Sequence, residues 1–163
     1  MNTMTLSSAP VFLAAGGTGG HVFPAEALAR ELLARGATVH LITDSRGKAF
    51  GEALPEVTVH RVAAATSTGG LITKVKAVMS LFKGTLEAKA LLKTLKPQVV
   101  VAFGGYPSFP GAMAAILTGT PLVLHDQNAV LGRANRLVAR FARVIAKSFE
   151  DVIGLPKHVP SRL

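Results

Sequence analysis

The sequence predicts an α/β fold built on a doubly wound, mostly parallel sheet with helices on both faces. Three observations predict it: short apolar runs of strand length recur, helical patterns separate most of them, and glycine-rich loops follow two of the runs just before helices. With 163 residues and 49% hydrophobic composition, the chain suffices for one domain with a substantial core and is short for two.

Residues 1–9 read as a tail, since "MNTMTLSSAP" lacks the basic start and apolar centre of a secretory signal. "PVFLAA" (10–15) is the first strand. The loop "GGTGGH" separates it from a helix over 24–35, with Pro24 in the first turn and Gly36 just past the end. "TVHLIT" (38–43) and "VTVHRV" (57–62) are the next strands, and His40 and His60 inside them read as structural. Residues 71–96 read as a helix, "QVVVAF" (98–103) as a strand, and 109–118 as a helix after the loop "FGGYPSFPG". "PLVLH" (121–125) and "RVIAKS" (143–148) are strands around a helix over 130–141. The last stretch, 154–163, has a Gly, two Pro and no periodicity, and reads as the start of a connector to another domain.

No charge occurs from Pro97 to Leu124, long enough for a membrane span, but Gly104, Gly105, Pro107, Pro110, Gly111 and Pro121 interrupt it. A lipid-exposed helix broken that often would leave backbone groups unsatisfied, so a buried strand, loop, helix and strand is expected instead. The absence of cysteine excludes disulfides and thiolate metal sites and fits a reducing compartment, the cytoplasm. A net charge of +9, from 18 Lys+Arg against 9 Asp+Glu, favours a polyanionic partner such as a phosphorylated substrate or an anionic membrane surface. Nucleic acid is not expected, because Trp is absent and the single Tyr, Tyr106, lies in a Gly/Pro loop.

Between a strand and a helix, the backbone N–H groups of "GGTGGH" and the positive helix end favour an anion, and glycines let the backbone approach it closely. No Lys-Ser/Thr follows, so this is not a P-loop. A dinucleotide site, with Asp44 on the ribose, would make the chain an NAD-binding oxidoreductase domain; however, the G-x-G-x-x-G register from Gly17 and Gly19 meets Val22 at its third glycine. In a doubly wound sheet both glycine loops open at one edge, to which a further strand delivers "HDQN" (125–128). Such an edge suits a ligand with several anionic or hydroxyl groups, for example a diphosphate-linked sugar.

"GGTGGHVFPA", "GGYPSFPG" and "LHDQNAVLGRAN" together resemble the N-terminal half of the peptidoglycan glycosyltransferases of family 28, the MurG family. The resemblance covers nearly the whole chain. It implies a Rossmann-like half of a GT-B enzyme that transfers N-acetylglucosamine, with inversion, from UDP-N-acetylglucosamine to undecaprenyl-diphosphate-linked muramyl-pentapeptide, turning lipid I into lipid II. It implies that residues 1–163 hold the acceptor, that the donor is held mainly by a C-terminal domain, and that this half alone is inactive. A non-catalytic subunit anchoring a separate donor-binding chain to a membrane is the other arrangement.

Matched by motif, Thr18, Gly19, Gly20 and Asn128 are expected near the donor. Gly16, Gly17, His21, Gly104, Gly105, Tyr106, Ser108 and Gln127 are expected near the acceptor and its diphosphate. The family usually has Glu before the Gln-Asn pair; here Asp126 keeps a carboxylate with a shorter reach and is a second catalytic candidate. His21 suits the base that takes the proton of the attacking hydroxyl, since an ordinary imidazole titrates near ~6.5. An equal reading is that His21 only hydrogen-bonds substrate and the base lies elsewhere. No DxD occurs and the carboxylates are scattered, so neither a catalytic metal nor another cofactor is expected.

On a helical wheel, residues 71–96 place Ala77, Leu81, Ala88, Leu91, Leu92 and Leu95 on one face, sufficient for the core. Ile72, Val75, Val78, Met79 and Phe82 fall roughly opposite, flanked by Lys74, Lys76 and Lys83. Such a stripe suits an anionic bilayer surface and a peripheral enzyme at the cytoplasmic face of the bacterial membrane. The alternative is a kink at Gly84 that lets each half of the helix pack its own side on the core.

Overall fold

The computed structural model describes residues 8–45, 53–65 and 70–163; most of the expected N-terminal tail lies outside them. Its strands are β1 (Val11–Ala14), β2 (Val39–Thr43), β3 (Thr58–Arg61), β4 (Val99–Ala102), β5 (Leu122–Asp126), β6 (Val144–Lys147) and β7 (Ser161–Arg162). The helices are α1 (Gly19–Ala34), α2 (Leu71–Leu95), α3 (Phe109–Thr118) and the short α4 (Arg133–Val138), which runs on as a 3-10 turn over Ala139–Phe141. All strands pair in parallel in the order β3-β2-β1-β4-β5-β6-β7.

The sheet is apolar on both sides because its strands alternate between two cores. Phe12, Ala14, Ile42, Val100 and Ala102 face one cluster, with Ala88 and Leu92 of α2 and Ala112, Ala114 and Ala115 of α3. Val11, Leu13, Val39, Leu41 and Val101 face the other, with Ala25 and Ala29 of α1. Small residues let the helices lie close: a Cβ on Gly111 would sit 2.8 Å from the Ala14 Cβ. Gly36 (φ 79°) and Gly119 (φ 71°) follow α1 and α3 in the left-handed conformation that closes a helix. At the end of α2 that conformation falls to Lys96 (φ 45°), ahead of Pro97, which cannot extend the helix.

The strands expected from the apolar runs all form, and three elements differ in extent. Helix α1 begins at Gly19, not Pro24, so Gly20 and His21 belong to its first turn. Helix α4 is shorter than the expected 130–141. The stretch expected to begin a connector instead buries Val159 and adds β7 to the sheet.

Helix α2 is continuous across Gly84. That glycine is a crossing point: a Cβ there would fall 1.8 Å from the Ala63 carbonyl oxygen, and one turn along Glu87 accepts the Ala63 N–H at 2.8 Å. The wheel faces hold except at Leu81, expected on the core face, which is only partly buried and joins neither core cluster. Ala77, Ala88 and Leu92 are buried, with Leu91 and Leu95 packed on the core, whereas Ile72, Val75, Val78, Met79 and Phe82 are all more than half exposed.

His40 and His60 bond across β2 and β3, Nδ1 to Nε2 at 2.8 Å, and stack with Phe12. One of the two facing nitrogens must lack a proton for this bond to form. Burial lowers both pKa values, and repulsion from His60 lowers that of His40 further. The unfolded chain therefore takes up these protons first, near ~6.5, and the folded protein only at lower pH. Stability should be full above that value and decline as pH falls through the lowered folded values. Denaturant melts across this range should show the decline, and the double variant His40→Phe, His60→Phe should flatten it.

Candidate functional site

The strand order reverses between β1 and β4, so the loops leaving their carboxyl ends diverge to opposite faces and open a crevice. Both are the glycine loops. Gly16 lies against the second loop: a Cβ on it would meet Thr43 Oγ1 at 2.8 Å and Pro107 Cβ at 2.9 Å. Gly17 takes φ 89° and swings the chain towards α1, and Thr18 caps that helix by backbone geometry with no side-chain bond. Thr18 and Gly20 are exposed at this positive helix end.

His21 sits in the first turn of α1 and reaches across to the second loop. Its Nδ1 lies 2.9 Å from the Phe103 carbonyl oxygen and 3.2 Å from Gln127 Oε1. Both are acceptors, so Nδ1 carries a proton, and in the neutral ring Nε2 holds the lone pair. Gly104 (φ 87°) and Gly105 (φ 71°) make room for the ring. A Cβ on Gly104 would lie 3.4 Å from His21 Cε1, and one on Gly105 would lie 3.1 Å from Cδ2. Here a glycine loop is shaped around the protein's own imidazole.

The rest of the second loop bonds inward. Ser108 is buried and its hydroxyl donates to the Gly105 carbonyl at 2.9 Å, closing the turn. Tyr106 donates its hydroxyl to Asp44 Oδ2 at 3.3 Å, and Asp44 is itself buried.

Asp126, at the end of β5, is 1% exposed and forms the hub of the third segment. Its Oδ1 accepts the backbone N–H of Asn128 at 3.0 Å and the Asn128 amide at 3.1 Å. Its Oδ2 accepts the Gly132 N–H and the Asn135 amide, each at 2.9 Å. Four donors occupy a carboxylate out of solvent, which fits it to hold a loop rather than to exchange protons with a ligand. Gln127 turns to His21, to the Phe103 carbonyl and to His125, whose pKa burial lowers against the raising effect of Asp126.

A cavity of about 550 Å3 opens beside His21. Gly105, Tyr106, Asn128 and Arg133 give its polar lining, and Ala77, Val78, Leu81, Phe109 and Leu137 its apolar lining. Of the expected site residues, His21, Gly105, Tyr106 and Asn128 line this cavity, one or more from each of the three motifs. His125, Arg133 and Asn135 lie inside the motifs the sequence analysis quotes, but it gave them no role of their own. Their roles come from contacts that a linear motif does not encode: Arg133 lines the cavity, Asn135 reaches back to Asp126 and the His125 carbonyl, and His125 meets Gln127. Val78 joins the cavity to the exposed stripe on α2.

The glycosyltransferase family 28 N-terminal domain matches residues 11–147. The UDP-N-acetylglucosamine–N-acetylmuramyl-(pentapeptide) pyrophosphoryl-undecaprenol N-acetylglucosamine transferase of Rhodospirillum centenum is 59% identical over 150 residues, covering 92% of this chain and 40% of the relative. The protein of the same name from Paramagnetospirillum magneticum is 48% identical over 154 residues, covering 94% and 40%. The crystal structure of Acinetobacter baumannii MurG superimposes with a TM-score of 0.79 at 33% identity, over 93% of this chain and 44% of that one. The chain thus spans about 40% of the length of the curated relatives it matches.

Proposed function

The chain belongs to glycosyltransferase family 28, and from that membership we propose that it is the acceptor-binding half of an inverting enzyme that transfers N-acetylglucosamine from UDP-N-acetylglucosamine to undecaprenyl-diphosphate-linked muramyl-pentapeptide. The observation that carries this reading is the position of His21, with its proton held on Nδ1 and its ring lining an apolar cavity where two glycine loops meet. A hydroxyl of the acceptor sugar attacks the anomeric carbon of the donor sugar. Its oxygen forms the new glycosidic bond, its proton passes to His21 Nε2, and the bond from the anomeric carbon to the UDP oxygen breaks with its electrons on the diphosphate.

The acceptor diphosphate lies by the loop of Gly16 and Gly17 and by the second loop at Gly104 and Gly105, with the Arg133 guanidinium lining the same cavity as Gly105. Thr18, Gly19, Gly20 and Asn128 face the donor, most of whose contacts come from a C-terminal domain of the family. Asp126 does no chemistry in this reading; it holds Asn128 and the turn at Gly132 in place. The apolar lining of the cavity, with Phe109, Leu137, Leu81 and Val78, takes the start of the prenyl chain. Beyond it the stripe on α2 rests on an anionic bilayer, making the enzyme peripheral at the cytoplasmic face. Among the described residues no helix is long and apolar enough to cross a membrane.

Joined to the C-terminal part of the Rhodospirillum centenum relative, the chain should transfer radiolabelled N-acetylglucosamine to a lipid-linked muramyl-pentapeptide, and without a donor domain it should transfer none. A correctly folded joined protein that binds UDP-N-acetylglucosamine yet leaves the acceptor unmodified would overturn the proposal.

A further inference from the structure

Between His21 and a second histidine, His125 on β5, lies the Gln127 side chain, and its orientation is fixed by what surrounds it. Gln127 Nε2 is 3.0 Å from the Phe103 carbonyl oxygen and 3.2 Å from His125 Nδ1, and Oε1 is 3.2 Å from His21 Nδ1. Turning the amide over would set its oxygen against the Phe103 oxygen, a contact between two acceptors. The amide nitrogen therefore faces Phe103 and His125. With both amide hydrogens donated there, His125 Nδ1 must be a bare acceptor and its ring proton must sit on Nε2.

The same amide presents its oxygen to His21, where a proton on Nδ1 is required. The Phe103 carbonyl accepts from both His21 and Gln127 and is the fixed point of the arrangement. The two imidazoles are thus held in opposite tautomers by one side chain. For His21 the consequence is chemical, because a proton on Nε2 would cap the lone pair that the proposed base uses. Asp126 next to His125, Arg133 at the cavity and Asp44 behind Tyr106 are the charged groups of these surrounding segments. None of them bonds His21 in the structure as described.

We infer that Gln127 is a positioning residue that, anchored on His125 and the Phe103 carbonyl, locks His21 with its proton on Nδ1 and its Nε2 free to accept a proton. This deepens the reading of His21 as the base and assigns Gln127 to the histidine rather than to the acceptor. His125 acts through Gln127 and needs no contact with either substrate.

Long-range 1H–15N correlation spectra of the neutral histidine rings test the lock on the chain itself, with no need for turnover. The unsubstituted chain should show His21 with its proton on Nδ1 and His125 with its proton on Nε2; either ring in the other form overturns the inference. In Gln127→Glu, both side-chain oxygens are acceptors, so His125 should gain a proton on Nδ1 while His21 keeps its own. A His125 that stays bare at Nδ1 would mean that the amide does not set its form. Gln127→Leu should give His21 several-fold more of the Nε2-protonated form, and no change there would leave Phe103 as the sole lock and overturn the role of Gln127. Should one variant fail to fold, the other still decides the role of Gln127, which the unsubstituted spectrum alone does not separate from that of the Phe103 carbonyl. Because none of these signals depends on transfer, an inactive joined enzyme with the expected tautomers would refute the glycosyltransferase reading and leave the lock standing.

Discussion

In the enzyme completed by a donor domain, His21→Ala should lower kcat by about 10²-fold or more and leave KM for the acceptor nearly unchanged. The magnitude follows from general base catalysis: an attacking sugar hydroxyl that must lose its proton to water instead of a placed imidazole faces a barrier higher by roughly 2.7 kcal/mol for each 10² in rate. The split between the constants separates roles. A residue that only hydrogen-bonds acceptor in ground and transition state alike would raise KM and spare kcat. Steady-state kinetics at varied acceptor concentration make the distinction, and a loss confined to KM would sink the base assignment. Because His21 packs against Gly104 and Gly105, the variant's melting temperature has to accompany the rates. An alanine that unfolded the loop would lower both constants together with stability.

Much of this site was legible because its chemistry sits in short motifs. Glycines after a strand and before a helix announce backbone approach, and the order of strands and helices places both loops at one sheet edge. What the glycines approach was less legible. Gly16 yields to Pro107 and Thr43, and Gly104 and Gly105 yield to the His21 ring, so part of the glycine signal comes from loops fitting one another. Pro24 misled the start of α1, since a proline suits a first turn; the helix begins at Gly19 instead and draws His21 into that turn. The partners of Asp126 and Gln127 were beyond reach for a different reason. A carboxylate with four donors at Asn128, Gly132 and Asn135, and an amide spanning two histidines, depend on how a loop folds back on itself, which no periodicity encodes. The exposed and buried faces of α2 were legible because a long helix turns residue spacing directly into direction, although Leu81, read as core, lines the cavity beside Val78 instead.

The exposed face of α2 gives the second large expectation: Met79→Ser with Phe82→Ser should weaken binding to vesicles of anionic lipid by about 30- to 100-fold while leaving folding nearly intact. Met79 is 67% exposed and Phe82 66%, so neither contributes much to the core, and exposed substitutions of this kind usually change stability by no more than ~0.5 kcal/mol. Against a bilayer the balance reverses. Full burial of such a side chain is worth about 1.5–3 kcal/mol, and partial immersion of two gives a loss of about 2–3 kcal/mol, the range stated. Lys74→Glu should weaken binding further and in a salt-dependent way, since a lysine near an anionic surface contributes about 1 kcal/mol. Lys83→Glu should act in the same direction, since Lys83 is 73% exposed and its 3.8 Å approach to Glu87 is a surface pair of little strength. Vesicle sedimentation at low and high salt, set beside denaturant melts of the same variants, decides the matter. A serine pair that stays folded and sediments as well as the parent chain would refute a lipid-facing role for this stripe.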